Sequence, residues 1–191
     1  MSSANIVGSA ADGYLQKYAS TWAGCMAAAP TVPSTGDAFA VITRYGNGTN
    51  SYELDRGFLC FNLAAYAGAT ISAATLHVRM SGGGDSNCKF YYYDWGTSLA
   101  AADWTTGTAA CATISTLGAS AWVDISLSSP QSILTANGRV YLALDDETTD
   151  PGASDSHATL YFSEDLTYKP NLDITYDFPF IGLTVIRDAS S

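Results

Sequence analysis

Four side chains on two neighbouring stretches of the sequence are of types that can carry out proton-transfer chemistry. His77 and Arg79 alternate in one apolar run, and Tyr91 and Tyr93 alternate in the next. Tyrosine and histidine can exchange a proton with a substrate, while arginine can neutralise an acidic sugar. Such chemistry needs all four in one cleft, and the outward positions of any β-sandwich are ordinarily polar or aromatic. We therefore expect no catalytic residues and no enzymatic activity.

An aromatic series is considered as stacking platforms for glycans, and it comprises Tyr91, Tyr92, Tyr93, Trp95, Trp104 and Trp122. Flat rings match the apolar faces of sugars, but rings in β-proteins also pack within and between strands, and that is the alternative. Because side chains alternate along a strand, we expect Phe90 and Tyr92 to point inward and Tyr91 and Tyr93 to point outward. The candidate glycan-binding residues are Tyr91, Tyr93, Trp95 and Trp104.

An acidic stretch offers the hard oxygen ligands that calcium prefers. It lacks the spacing of an EF-hand loop, so a solvated acidic loop is the alternative. We expect no required cofactor and retain structural calcium as a candidate. The candidate metal ligands are Asp145, Asp146, Glu147, Asp150 and Asp155.

The four cysteines are widely spaced and form no CxxC pair, so a zinc or redox motif is not expected. Buried thiols and one or two disulfides both remain open, since the sequence does not establish an oxidising compartment. Cys88 and Cys111 are the favoured pair for a disulfide, because both lie in one Gly/Ser/Thr-rich region. Cys60 alternates with Phe58 in an apolar run and is therefore predicted to lie in the core. Cys25 is widely separated from the other cysteines.

The charge balance excludes two classes of partner. Asp plus Glu number 18 against 8 Lys plus Arg, a formal net charge of −10. This charge repels phosphate groups, so we expect neither nucleic acid nor membrane as a partner. The chain opens without a secretion signal and has no membrane-length apolar run. Its many uncharged polar residues are typical of extracellular β-proteins and virion surface proteins.

Alternation of apolar residues at every second position recurs along the chain and predicts short strands. The run from Thr75 to Met80 is the clearest example, with apolar residues on one face and His77 and Arg79 on the other. Turn-forming clusters such as residues 81–85 separate the runs, a pattern typical of an antiparallel sandwich or barrel. Helical signals are confined to residues 129–135.

Two ionisable residues are expected to be structural. Arg56 starts one apolar strand and Glu164 ends another. They could form a partly buried ion pair that fixes one edge of the sandwich.

A series of motifs runs from Asp12-Gly13-Tyr14 to the last strand. Arg56 opens the apolar segment 56–63. The segment Ala-Thr-Ile-Ser-Ala-Ala-Thr-Leu follows at 69–76, and Trp-Val-Asp-Ile occupies 122–125. The close, 161–176, contains Tyr-Phe-Ser-Glu-Asp and Lys-Pro-Asn-Leu-Asp-Ile-Thr-Tyr. These motifs resemble the DNRLRE-type, carbohydrate-binding-module-like jelly-roll domains over about residues 10–176, although Asn62 stands where many members carry Asp. The resemblance implies a jelly roll. Together with the alternation and the single helical segment, it predicts an all-β, antiparallel β-sandwich over residues 1–177 with at most one short helix.

Members of this family occur in secreted bacterial proteins and as stand-alone structural proteins of bacteriophages, and segments 56–61 and 69–76 are most similar to the phage versions. The resemblance implies a non-enzymatic virion structural protein, a capsid decoration or fibre-type protein held by subunit contacts. Its expected partners are other virion subunits, copies of itself in a homo-oligomer, and cell-surface glycans. A carbohydrate-binding module of a secreted bacterial protein is the alternative. The expected location is the virion surface, or otherwise the extracellular space.

Residues 178–191 form an apolar extension after the last predicted strand. An apolar segment beyond a completed sandwich must dock on its own domain, a neighbouring subunit or a larger assembly. Modules joined to enzymes end instead in polar linkers, so this composition favours assembly. The predicted interface residues are Phe178, Phe180, Ile181, Leu183, Val185 and Ile186.

Overall fold

Short strands separated by turns run through the described chain, as the alternation predicts. The computed structural model describes residues 1–27, 32–83, 87–104, 109–115, 119–144 and 149–179. Its strands are β1 (Ser2–Val7), β2 (Gly13–Ala19), β3 (Val32–Ser34), β4 (Phe39–Gly46), β5 (Tyr52–Cys60), β6 (Thr70–Gly83), β7 (Cys88–Tyr92), β8 (Ala112–Ile114), β9 (Ala121–Ser126), β10 (Arg139–Leu144), β11 (Asp155–Tyr161) and β12 (Asn171–Asp177). Its helices are α1 (Trp22–Met26) and α2 (Ser132–Thr135), with 3-10 turns at Ala64–Tyr66 and Ala101–Asp103.

All the pairings between these strands are antiparallel. One sheet has the order β9-β6-β12-β1. The other has the order β3-β2-β5-β10-β7-β8. Strands β11 and β4 connect the two, because β11 pairs with the end of β6 and β4 pairs with the start of β5. The result is an antiparallel β-sandwich of jelly-roll type, which confirms the predicted fold class.

The main core lies between the two sheets. Leu76, Val78 and Met80 of β6 point into it, where they meet Phe90 of β7 and Leu142 of β10. Burial of each such side chain stabilises the fold by about 1.5–3 kcal/mol. The outward residues of β6 therefore remain available on the opposite face of the sheet.

A second apolar cluster covers the outer face of β5 and β10. Phe58 stacks on Tyr141 with ring centroids 5.5 Å apart, and Trp95 meets Phe58 edge to face at 5.2 Å. All three are buried, and Leu15 of β2 completes the cluster. Strands β5 and β10 are consequently buried on both faces.

Arg56 lies within this second apolar cluster, which we call the outer cover of β5 and β10. Its guanidinium carbon is 4.1 Å from the ring centroid of Trp104, and the side chain is fully buried. Glu164 instead accepts a hydrogen bond from Ser163 Oγ at 3.2 Å, in a segment tied to Asp12. The described residues include both Arg56 and Glu164, and no ion pair joins them. The prediction of that pair was wrong, because Arg56 stacks on an aromatic ring of the outer cover.

The short helices differ in part from the sequence prediction. The segment 129–135 forms the helix α2, but α2 begins only at Ser132, since Ser129 has a φ of 50° and so cannot adopt N-cap geometry. The helix α1 was not predicted; the Thr21 side chain caps it by accepting from Gly24 N at 3.1 Å. No helix in the described part of the chain is long and apolar enough to cross a membrane.

All four cysteines are buried thiols, so the favoured Cys88–Cys111 disulfide is not formed in this structure. Cys111 Sγ donates to the Phe90 carbonyl oxygen at 3.2 Å. Burial raises the pKa of Cys25 to about 11 and that of Cys111 to about 12. These two thiols therefore stay protonated at neutral pH and behave as small core side chains.

The fully buried carboxyl of Asp12 ties the start of β2 to the segment after β11. Ser163 N donates to Asp12 Oδ2 at 2.8 Å, and Ser163 Oγ lies within hydrogen-bond distance of Asp12 Oδ1, at 3.0 Å. Burial raises the pKa of Asp12 to about 8; the hydrogen bond from Ser163 N lowers it, and neighbouring Glu164 raises it. Asp12 is consequently protonated at neutral pH.

We predict that Asp12→Asn flattens the pH dependence of stability. Asp12 holds its proton up to about pH 8 in the folded protein but ionises near its ordinary pKa of 3.8 in the unfolded chain. The free energy of unfolding should therefore fall as pH rises from about 4 to about 8. Urea denaturation at several pH values measures this slope. Asp55, whose pKa burial also raises to about 8, supplies the remaining slope, and exposed Asp37→Asn is the control. An unaltered slope in Asp12→Asn would contradict the assignment.

Candidate functional site

The predicted glycan-binding residues lie together in the outer cover of β5 and β10. Trp95 is buried and donates from Nε1 to the Ala11 carbonyl oxygen at 3.2 Å. Tyr91 stacks on Tyr141 with centroids 4.9 Å apart and planes 18° from parallel. Tyr91, Tyr93 and Trp104 are half-buried against the cluster. The outward orientation predicted for the two tyrosines is confirmed, but protein side chains cover much of this face.

The predicted calcium site falls largely outside the described residues. Asp145, Asp146 and Glu147 are not among them. Asp150 Oδ1 accepts from Gly152 N at 2.8 Å, and Asp155 lies 3.7 Å from His157 Nδ1. No group of three possible metal ligands occurs within the described ranges. Calcium binding stays a prediction, and a lower melting temperature in excess chelator would support it.

Of the predicted interface residues, only Phe178 lies within the described chain; Phe180, Ile181, Leu183, Val185 and Ile186 lie outside it. The Phe178 ring is 52% exposed and contacts Tyr176 at 5.6 Å between centroids. Tyr176 in turn contacts Tyr66 at 4.9 Å. The extension therefore leaves the sandwich beside a small aromatic cluster at the end of β12.

A polar network crosses the outer face of the β9-β6-β12-β1 sheet. His77 Nδ1 is 2.6 Å from Asp124 Oδ1, and His77 Nε2 is 2.9 Å from Asp173 Oδ2. Asn5 Nδ2 donates to Asp173 Oδ1 at 2.6 Å and to Asn171 Oδ1 at 2.8 Å. The register places His77 opposite Asp124 and Asn171, and Asn5 opposite Asp173. One polar side chain or more from each of the four strands thus joins the network.

The charges in this network stabilise one another. Burial lowers the pKa of His77, but the hydrogen bonds and negative charges of Asp124 and Asp173 outweigh it and raise the pKa above its ordinary value of 6.5. The hydrogen bond from Asn5 and then the proximity of His77 lower the pKa of Asp173 despite some desolvation. Both nitrogens of the His77 ring are occupied, so neither is positioned to accept a proton from a substrate.

The four residues considered for proton transfer do not converge. His77 and Arg79 lie on the outer face of β6, whereas Tyr91 and Tyr93 lie in the cover of the other sheet. The main core separates the two sets. This arrangement does not form the single cleft that such chemistry requires.

An aromatic row lies beside the polar network. Phe39 and Tyr161 have centroids 5.6 Å apart, Tyr161 and Tyr168 5.1 Å, and Tyr168 and Trp122 6.4 Å. Arg79 lies beneath the middle of the row, with its guanidinium carbon 4.9 Å from the Tyr168 centroid. The end members, Phe39 and Trp122, are 52% and 45% exposed. Two partly exposed aromatic rings, those of Phe39 and Trp122, therefore lie on the same outer face of the protein.

The register explains how distant segments build this row. Arg79 of β6 pairs with Trp122 of β9. The Leu160–Met80 pair places Tyr161 beside Arg79, and Tyr161 pairs with Phe39. Sequence reasoning missed Phe39, Tyr161 and Tyr168 as site residues. Trp122 belongs to the aromatic series that the sequence offers for glycan stacking, but which residues neighbour it depends on strand pairings between distant segments.

Depressions of different size mark the surface, one at the polar network and a larger one elsewhere. A shallow groove of about 350 Å³ is lined by Trp122 and by the polar residues Asn5, His77, Asp124, Asn171 and Asp173. Its volume is within the lower range of ligand sites, about 300–1,000 Å³. A larger depression of about 920 Å³ lies at the end of the sandwich near Asn62, Asp94 and Arg139. Its other lining side chains are mainly small and offer no exposed ring.

Comparison with known proteins gives no direct assignment. No family model matches the chain, and no curated protein matches it at a significant level. A function for the chain must therefore be inferred from its residues and their geometry.

We predict losses of stability of very different size for alanine substitutions at two tryptophans of the sandwich. Trp95→Ala should lower the free energy of unfolding by about 3–5 kcal/mol, because it leaves a cavity beside Phe58. Trp122→Ala should lower it by about 1 kcal/mol or less, since the ring is half exposed. Chemical denaturation of both variants tests this. Equal losses would contradict the distinction between a packed ring and an available one.

Proposed function

We propose that the chain is a non-enzymatic structural protein of a virus-particle surface, a bacteriophage capsid decoration or fibre-type protein held by subunit contacts. The motif resemblance supports this proposal, and so does the way the chain leaves the sandwich. Its partners would be other virion subunits and copies of itself.

The end of β12 is the observation that carries the proposal. Strand β12 pairs with β1 on one edge and with β6 on the other. Its last pairs are Tyr176 with Ser2 and Asp177 with Thr70, and these partners are the first residues of β1 and β6. A strand continuing past Asp177 would have no partner in this sheet. The apolar residues from 178 to 186 would then satisfy their backbone groups by docking on another subunit.

The four described residues considered for proton transfer do not converge, which supports a non-enzymatic role. Among the described residues, His77 is held by two aspartates, and the tyrosines once considered with it lie across the core. The groove beside it is open and shallow. Such a surface suits binding better than proton transfer.

A carbohydrate-binding module of a secreted bacterial protein is the second candidate. The exposed rings of Phe39 and Trp122 on one sheet face favour it. The two candidates are compatible, because a virion surface protein can also bind glycans.

We predict that a chain ending at Asp177 remains folded but loses self-association. All strands from β1 to β12 are retained, so the melting temperature should change little, while the apolar docking segment is gone. Sedimentation velocity compares the truncated and full-length chains. A full-length Ile181→Ser/Val185→Ser variant is the control for chain length and should also fail to associate.

Unfolding of the truncated chain would place the extension in the core of its own sandwich. A full-length chain that is monomeric and does not attach to virus particles would equally contradict the proposal.

A further inference from the structure

The outer face of the β9-β6-β12-β1 sheet carries a polar groove with one solvent-exposed aromatic ring, that of Trp122. We propose that this groove and the adjoining aromatic row form a binding site for neutral glycans. The proposal depends only on the sheet face, so it holds for a virion protein and for a secreted module alike. The site residues are Asn5, Phe39, His77, Trp122, Asp124, Tyr161, Tyr168, Asn171 and Asp173.

Trp122 provides the stacking surface at the groove. It lines the groove and is 45% exposed, whereas Trp22 and Trp95 are buried and Trp104 is half-buried. Its neighbour Tyr168 meets it edge to face at 70° between ring planes, and the exposed part of Trp122 is available to a ligand. The axial C–H groups of a pyranose ring form an apolar face that packs on such a surface.

The walls of the groove supply hydrogen-bonding groups for sugar hydroxyls. Asp124 is 72% exposed and uses only Oδ1 to hold His77, so Oδ2 can accept from a ligand. Asn171 uses its Oδ1 to accept from Asn5, and its amide N–H groups can donate. The network fixes these side chains before a ligand arrives, which lowers the entropic cost of binding.

The charge of the face selects uncharged sugars. Asp124 and Asp173 line the groove, and the whole chain carries −10. The nearest arginine, Arg79, is engaged with Ser120 Oγ at 3.0 Å and with the Tyr168 ring. Acidic polysaccharides would be repelled, whereas neutral hexoses meet no such penalty.

The length of the aromatic row favours a chain of sugars over a single one. The row runs from Trp122 on β9 to Phe39 on β4, and successive rings are in contact. An extended oligosaccharide could stack at both open ends while its hydroxyls reach the tyrosines between them. Affinity should therefore rise with the number of linked sugars.

The groove fits a protein partner less well. Apart from Trp122, every side chain that lines it is polar or charged, whereas the buried centre of a protein interface is depleted of charged residues. A sugar has an apolar face that can stack on Trp122 and hydroxyl groups that can form hydrogen bonds with the polar side chains of the groove.

Affinity electrophoresis in native gels tests the proposal with hydroxyethyl cellulose, galactomannan, dextran and polygalacturonate as probes. At least one neutral polysaccharide should retard the full-length chain, and polygalacturonate should not. Trp122→Ala and Phe39→Ala should each weaken the retardation about tenfold or more. Tyr18→Ala, which removes a comparably exposed ring from β2, is the matched control and should bind normally.

Tryptophan fluorescence gives a second measurement on the same protein. Binding should protect the emission from acrylamide quenching, and the protection should vanish in Trp122→Phe, which keeps a ring for stacking and so keeps binding. The chain ending at Asp177 should bind as well as the full-length chain, which separates this proposal from the assembly proposal.

Failure of all three neutral polysaccharides to retard the chain would overturn the proposal. So would retardation that is equal in Trp122→Ala and Tyr18→Ala, or loss of self-association in Trp122→Ala, which would identify the face as a subunit interface.

Discussion

Burial of the β5-β10 strand pair on both faces is the constraint on which the rest of the structure depends. The main core covers one face, and the Phe58, Tyr141 and Trp95 cluster covers the other. Arg56 lies inside that cover with its guanidinium on Trp104, because a buried cation needs a partner that compensates for lost water. The rings of residues 91–104 are largely used in this cover, so an exposed binding face must be sought on the opposite sheet.

The opposite sheet is covered on one face only. Strand β6 keeps strict alternation, with Leu76, Val78 and Met80 inside and His77 and Arg79 outside. The outward side chains then interact across strands, which is why Asp173, His77 and Asp124 form one chain of charges. Such a network holds a polar groove in place, since each strand contributes a partner to the next.

Sequence reasoning predicted what depends on local alternation and missed what depends on distant contacts. It gave the sandwich and the inward side of β6 correctly. It could not show that Trp95 is buried and Trp122 is exposed, because the segments that cover a ring are set by strand pairing. Asp12 illustrates the same limit: its partner Ser163 lies 151 residues away, so nothing near Asp12 indicates a buried carboxyl. The sequence does not indicate that β5 is buried on both faces, because Asp55 and Arg56 interrupt its apolar run.

The two proposed surfaces lie at opposite ends of strand β6. The C-terminal extension leaves beside Thr70, which pairs with Asp177, whereas the aromatic row crosses β6 at Arg79. Nine residues separate these positions, so along an extended strand they are up to about 30 Å apart. A subunit anchored through its extension would therefore hold the row away from the attachment point. Because the two surfaces are separate, docking of the extension would leave the row accessible to a glycan.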